Sequence, residues 1–291
     1  METKILITGA TGATGKNAVK YLLGKNLPVR AMVHSIDARS QALQNMGAEI
    51  VVGDLLSLDD VSRALEGISA AYFVYPIQVP GILEATTYFI QAALEQGVQH
   101  IVNMSQIAAK RHAKSNASQN HWLAERLLDN SGIAATHLRP TFFAEWLMYQ
   151  VHTIREQSTI VLPFGDIKYA PITGEDQGRV IAAILSDPAK HAGKVYPLYG
   201  AEAVNQFDIA AILSEVLGRE ITYIPMEIEP FKEIMNTQMG YSPWFIQHIG
   251  AVAQDCRDGV FSGSNDYVEH IMGHPPTHIR EYITQNKEKF L

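Results

Sequence analysis

Short apolar strands alternate with amphipathic helical segments through the first half of this chain. That rhythm predicts an α/β fold built on a doubly wound parallel sheet. A glycine-rich turn, Gly9-Ala10-Thr11-Gly12-Ala13-Thr14-Gly15, stands between the first strand and the first helix, as in folds of that type. Segments such as Ile101-Val102 lack the in/out alternation of a half-solvated strand, which fits a sheet covered by helices on both faces. The chain has 291 residues, 47% of them apolar, enough for one large α/β unit and a smaller companion region.

The elements follow in order. Residues 4–8 read as a buried strand and 17–23 as an amphipathic helix. Pro28 introduces a second strand at 29–34. A helix at 38–46 is closed by Gly47, and a third strand at 49–52 ends at Gly53-Asp54. A helix at 58–65 stops before Gly67, and a fourth strand spans 70–75. A long helix at 82–95 is closed by Gly97, and a fifth strand spans 100–104. A helix at 121–129 and a sixth strand at 134–138 complete the regular part. After Arg139-Pro140 the rhythm changes. Residues 141–156 read as an aromatic-rich helix, followed by a short strand at 159–162, a helix at 175–185 and a strand at 194–198. A clean amphipathic helix at 205–217 is closed by Gly218. A looser helical region at 230–252 and a Pro275-Pro276 break end the pattern. We expect a nucleotide-binding unit over residues 1–150 and a smaller substrate-side region over 151–291, with the chain free to cross between them.

The glycine turn carries the chemistry. Glycines let backbone approach a pyrophosphate closely, and the helix that follows offers unpaired N–H groups and a positive dipole end. Gly9, Gly12 and Gly15 are expected to seat the pyrophosphate of a nicotinamide dinucleotide, with Thr11, Ala13 and Thr14 supplying backbone N–H groups. A nucleoside-triphosphate loop is excluded. Ending that frame on Gly15-Lys16 puts Ala10 where glycine is required and Asn17 where Ser or Thr should hold magnesium.

Composition narrows the alternatives. The formal net charge of −7 and the lack of a basic stripe argue against direct nucleic-acid binding. Cys256 is the only cysteine, so neither a disulfide framework nor a cysteine-built metal site is expected. His274 and His278 are spaced i,i+4, but Pro275-Pro276 lies between them, and we expect no metal. No apolar run has the length to cross a bilayer and nothing resembles a signal peptide, so a cytoplasmic protein is expected.

Several motifs together resemble the short-chain dehydrogenase/reductase superfamily in its atypical, NmrA-like branch. They are Thr8-Gly9-Ala10-Thr11-Gly12-Ala13-Thr14-Gly15, Val51-Val52-Gly53-Asp54-Leu55, Asn103-Met104-Ser105, Leu138-Arg139-Pro140-Thr141-Phe142-Phe143 and Leu217-Gly218-Arg219. Within that branch the chain is most similar to NAD(P)H-dependent quinone reductases and triphenylmethane-dye reductases. The resemblance runs over nearly the whole length and implies a Rossmann-type nucleotide-binding unit with a smaller substrate-side region. The same branch contains redox-sensing regulators that bind the dinucleotide without turning it over.

Cofactor choice is read at the end of the second strand. An acidic residue there favours NAD, and a nearby arginine favours NADP. Here the strand ends in His34-Ser35, and Asp37 comes three residues late. His34, Ser35 and Arg39 are the candidates for a 2′-phosphate site, so NADP is favoured and NAD remains open. The resemblance places Asp54 at the adenine edge; a turn or capping aspartate is the competing reading. Tyr75, at the carboxyl end of the fourth strand, is expected beside the ribose or nicotinamide.

The superfamily's Tyr-x-x-x-Lys is missing. Aligned on Glu125, its tyrosine becomes Ala117 and its lysine His121, while Ser105 matches the superfamily serine. Reduction of an isolated ketone leaves a basic alkoxide that needs a positioned acid. A quinone or cationic dye delocalises the incoming pair and takes its proton from water. Ser105 and His121 are the candidate catalytic residues, with Glu125 one turn on as a group that could orient the imidazole. Phe142, Phe143, Trp146 and Tyr149 are candidates for a flat aromatic acceptor pocket, joined by Tyr75, Trp244 and Phe245. We therefore expect an NAD(P)H-dependent reductase of conjugated acceptors. The alternative is a non-catalytic NADP(H) sensor acting through a protein partner; besides a small planar substrate, a protein partner or a homodimer is the expected company of the chain. A sugar-nucleotide epimerase is disfavoured because that chemistry leans on the absent tyrosine.

Overall fold

The computed structural model describes residues 4–291. Strands and helices alternate as β1 (Ile5–Ile7), α1 (Ala13–Gly24), β2 (Val29–Val33), α2 (Ala38–Asn45), β3 (Glu49–Val52), α3 (Leu58–Leu65), β4 (Ala70–Phe73), α4 (Ile82–Gln96), β5 (His100–Met104), α5 (Asn116–Asp129) and β6 (Ala134–Pro140). A 3-10 turn at Ala144–Gln150 leads into α6 (Val151–Gln157) and β7 (Thr159–Leu162). Next come α7 (Gly174–Ser186), β8 (Val195–Leu198), α8 (Gln206–Leu217) and β9 (Thr222–Pro225). The chain finishes with α9 (Ile228–Thr237), α10 (Pro243–Arg257), α11 (Tyr267–Met272), α12 (Ile279–Gln285) and α13 (Lys287–Phe290).

Seven strands form one parallel sheet in the order β3-β2-β1-β4-β5-β6-β8. The order reverses between β1 and β4, so a crevice opens there at the carboxyl edge, where open α/β sheets bind ligands. Both faces of the sheet are buried. On one, Val19 and Leu22 of α1 and Ile181 and Leu185 of α7 cover Ile5, Ile7 and Val102. On the other, Leu65, Phe89 and Leu128 of α3, α4 and α5 cover Leu6 and Phe73. Strands buried on both sides explain the continuous apolar runs of the sequence. Gly174 and Gly178 bring α7 onto α1: a Cβ on Gly178 would fall 2.4 Å from that of Asn17. Thus α7 and β8, both beyond residue 150, pack in the large sheet unit, and so does α11 through Val268, so the chain leaves that unit three times, after β6, β8 and α11.

The second region is a two-stranded parallel sheet of β7 and β9 wrapped by helices. Its core gathers Phe142, Leu147, Ile160, Tyr169, Leu213 and Phe261. Two local expectations change here. The helix expected over 141–156 starts only at Ala144, because Phe142 and Ala144 hydrogen-bond Ile172 and hold the backbone extended. The loose region at 230–252 is two helices, parted at Gly240 (φ +65) and Ser242-Pro243. Strand β9 had no reading in the sequence; its partner β7 lies 63 residues away in register (Thr159 with Thr222), so no local period announces it. Helix α5 starts at Asn116 rather than 121, capped by Ser115, whose hydroxyl accepts from the Ser118 N–H.

Candidate nucleotide and acceptor site

Each glycine of the first turn has a distinct physical reason. Gly9 has φ +54, and a Cβ there would stand 2.6 Å from Val74 Cγ1. Gly12 is exposed, adopts an ordinary φ of −79 as the N-cap of α1, and donates its N–H to Gly9 O at 2.9 Å. Gly15 is buried, and a Cβ would fall 2.3 Å from Gly9 O and 2.8 Å from Ala10 Cα. It therefore sets the strand–helix packing, while Gly9 and Gly12 keep the turn open. No side chain caps α1 and no acidic residue lies in its first turn. Six other helices (α2, α3, α5, α7, α8 and α10) are capped by a side-chain oxygen, whereas α4, α6, α9, α11, α12 and α13, like α1, are not, so it is the glycines ahead of α1 that set its start apart. An uncapped helix start behind two bare glycines fits a phosphate. The first-turn N–H groups belong to Ala13, Thr14 and Gly15. Thr14 spends its hydroxyl on Tyr72 at 2.9 Å, anchoring α1 to β4, and Thr11 is partly exposed in the turn.

At the end of β2, His34, Ser35 and Arg39 are exposed together. No carboxylate stands at the strand end. Asp37 instead caps α2, accepting from the Arg39 and Ser40 N–H groups, and it also takes the Arg39 guanidinium at 2.9 and 2.6 Å. Those hydrogen bonds, the Ser40 N–H foremost, hold the Asp37 carboxyl below its usual range. Asp54 is exposed, with one oxygen accepting from Leu56 N–H at 2.9 Å in a local turn. Tyr75 is buried and donates its hydroxyl to Pro80 O at 3.1 Å. Its side chain braces the loop after β4, so the expected cofactor contact has no free hydroxyl behind it.

Ser105 and His121 are both buried, and Ser105 Oγ and His121 Nδ1 both lack a hydrogen-bond partner. Ser105 stands just past β5, at the carboxyl edge. Burial pushes the His121 imidazole down to about 4, so it is neutral at pH 7 and holds one ring proton. Close to it lies His248 of α10, pushed down to about 3 by burial and by His121, with its Nδ1 2.7 Å from Ser115 Oγ. Glu125 does not orient His121. Both of its oxygens are taken by Arg139 of β6 at 2.8 and 2.5 Å, because a fully buried carboxylate needs a cation. The pair ties α5 to β6.

Beyond β6, Phe142, Phe143, Trp146 and Tyr149 line one cavity of about 300 Å³. Phe142 is also core: its ring lies 4.4 Å from Phe261 and 5.1 Å from Tyr169, centroid to centroid. Tyr149, 52% exposed, stands at the rim. Phe245 joins the lining, together with Phe231 and Tyr241 from α9 and the turn before α10. Two expected members do not. Trp244 sends its indole N–H to Ile77 O at 3.2 Å, clasping α10 to the loop after β4, and Tyr75 is committed to Pro80. Sequence reading missed Tyr169 and Gln206 in the lining; neither belongs to a motif. His274 pairs with Arg179 at 3.0 Å and His278 with Glu202 at 3.1 Å, so the two imidazoles serve separate contacts.

An open glycine turn at the switch point, the β2 end beside it and an aromatic cavity past β6 define an α/β protein with a Rossmann-like sheet. The chain belongs to the NmrA-like family, whose profile matches residues 1–275. It is 28% identical over 288 residues to an NAD(P)H azoreductase of Xenophilus azovorans, covering 98% of this chain and 99% of the relative. It superposes with a TM-score of 0.84 on the triphenylmethane reductase of a Citrobacter species in complex with NADP(H), at 23% identity and covering 97% and 99% of the two chains, a likeness of fold. The NADPH-dependent quinone oxidoreductase of Escherichia coli, solved with NADPH, superposes with a TM-score of 0.87 at 26% identity, covering 97% of this chain and 99% of the other. Among the described residues no helix is long and apolar enough to cross a membrane.

Proposed function

We propose that this chain is an NADPH-dependent reductase that passes a hydride to a quinone-like or other conjugated acceptor. The observation that carries the reading is the continuity of one sheet edge. It runs from an uncapped, glycine-lined helix start after β1, past Ser105 at the end of β5, to an aromatic cavity beginning at the end of β6. The relatives named as azoreductase and quinone oxidoreductase support it.

Gly9, Gly12 and the first-turn N–H groups of α1 would hold the pyrophosphate. His34, Ser35 and Arg39 would meet the 2′-phosphate, with NADH as a weaker substitute, and Asp54 keeps one carboxylate oxygen for the adenine edge. When bound, the dinucleotide supplies the hydride from its nicotinamide ring. Ser105 Oγ and the His121 imidazole are the unspent polar groups near that end, and they would hydrogen-bond and position the reactants. A neutral imidazole held near pKa 4 is not a proton donor at pH 7, so water protonates the reduced product. The work of the protein is then orientation and exclusion of bulk water.

The sensor reading draws on one observation, Ala117 and His121 in place of Tyr and Lys. One experiment separates the two: titrate NADPH by protein fluorescence, then follow nicotinamide absorbance on adding menadione. Acceptor-dependent oxidation above the enzyme-free rate supports the reductase. Tight binding without turnover of several quinones and dyes overturns it in favour of the sensor, and no binding of NADPH or NADH sinks both.

A further inference from the structure

Among the described residues, none that lines the aromatic cavity is charged. Its buried polar side chains are Gln150 and a bonded pair, Tyr169 and Gln206, the pair 4% and 3% exposed. The Gln206 amide nitrogen lies 2.6 Å from the Tyr169 hydroxyl, and the other end of that amide has no partner. A phenol brings one donor hydrogen and two lone pairs, and an amide brings two N–H donors and a carbonyl. One bond between them uses one donor and one acceptor. Whichever end of the amide meets the phenol, the pair keeps a donor hydrogen and an acceptor that the protein does not use. Groups this deeply buried are normally bonded. The other buried amide in the lining, Gln150, accepts through its carbonyl oxygen from Val161 N–H at 3.1 Å and Thr153 Oγ1 at 3.3 Å, which leaves its amide N–H groups as further donors but no acceptor oxygen unused.

We propose that this cavity selects an uncharged, flat, fused-ring quinone, one carbonyl oxygen of which is held by the Tyr169–Gln206 pair, and rejects acceptors bearing a localised charge. The inference rests on the reductase reading and deepens it. Aromatic walls stack on a planar ring. A sulfonate or carboxylate entering the cavity would lose its water and meet no cation, a loss that outweighs ring stacking. A volume of about 300 Å³ lies at the lower end of small-molecule sites and suits two fused rings better than three splayed aryl groups. The pair also suits both oxidation states. A quinone takes a hydride from NADPH and a proton from water to become a hydroquinone. The donor that held its carbonyl oxygen is then matched by an acceptor for the new hydroxyl. Burial pushes the Tyr169 phenol far up, so it stays protonated throughout the working pH range.

The test compares menadione with 1,4-naphthoquinone-2-sulfonate. Binding is read without NADPH from quenching of tryptophan fluorescence, since Trp146 lines the cavity, and turnover is read from NADPH oxidation. We expect menadione to bind at least about tenfold more tightly than the sulfonate. Gln206→Met and Tyr169→Phe should each weaken menadione binding by about five- to tenfold with NADPH affinity unchanged. Tyr169→Phe keeps the ring and its packing, so it reports even where Gln206→Met fails to fold. Equal binding of the two quinones, or native menadione affinity in folded variants, overturns the inference. Selective binding of menadione with no NADPH oxidation upholds the selection and overturns only the reductase reading. Equal turnover of both quinones upholds the reductase and overturns the selection.

Discussion

The two ends of this site are made of different material. At the β1–β2 end the surface is backbone: two bare glycines, an uncapped helix start and the tip of a strand. At the β6 end it is side chains, aromatic and amide, drawn from segments between Phe142 and Ile279. A backbone site depends on what is absent, because an added Cβ fills it. A side-chain site depends on what is present, because a removed ring empties it. Substitutions should therefore fail in opposite directions at the two ends.

The largest effect should come from Gly15→Val. Its Cβ would fall 2.3 Å from Gly9 O, so strand and helix cannot pack, and we expect NADPH affinity to drop about a hundredfold or more with a large loss of thermal stability. Gly12→Val is the counterpart. Its φ of −79 suits any residue and its Cβ would stand 3.2 Å from Gly9 O, a tight contact that a shift of a few tenths of an ångström relieves, so it should lose far less thermal stability than Gly15→Val and still lose NADPH affinity by about tenfold or more. Equal melting temperatures for the two variants would contradict this division between a packing and a binding glycine.

At the other end, Phe142→Ala removes a ring that touches both cavity and core. Denaturant titration should show a loss of about 3–5 kcal/mol. Tyr149→Ala, at a residue 52% exposed, should change stability by less than about 0.5 kcal/mol and raise the KM for menadione without altering that for NADPH. Glu125→Gln lies between the two ends. It strands Arg139, whose side chain is 23% exposed, and should cost about 2–3 kcal/mol with NADPH affinity intact. A selective loss of turnover instead would return Glu125 to the chemistry.

Acid should act through buried imidazoles. His100, His121 and His248 are held at about 4, 4 and 3, chiefly by burial. In the unfolded chain they bind protons from about pH 6.5 downward. Between those values the unfolded state carries more protons, so stability falls as pH drops from about 6.5 toward 4. Melting temperatures across that range should decline, and His121→Gln should remove its own share, up to about 1.4 kcal/mol per pH unit. The smallest effect is Arg39→Ala. Because Asp37 already holds this exposed guanidinium, we expect NADPH affinity to fall by only about threefold and NADH affinity to stay the same.

The parallel sheet, the glycine turn and the aromatics after β6 were legible along the chain. These are local properties: strand period, helix closure at residues such as Gly97 and Gly218, and spacing within seven residues at Gly9–Gly15. Even the replacement of Tyr-x-x-x-Lys by Ala117 and His121 was legible, since it lies within one helix. Where side chains spend their hydrogen bonds came from packing alone. Glu125 looked free for His121 one turn away and was claimed by Arg139 on a neighbouring strand. Tyr75 and Trp244 looked like pocket walls and became braces. Tyr169 and Gln206 meet across 37 residues with no motif to announce them. A buried polar group takes whatever partner the packing brings within reach, and packing joins residues whose separation along the chain carries no period to read.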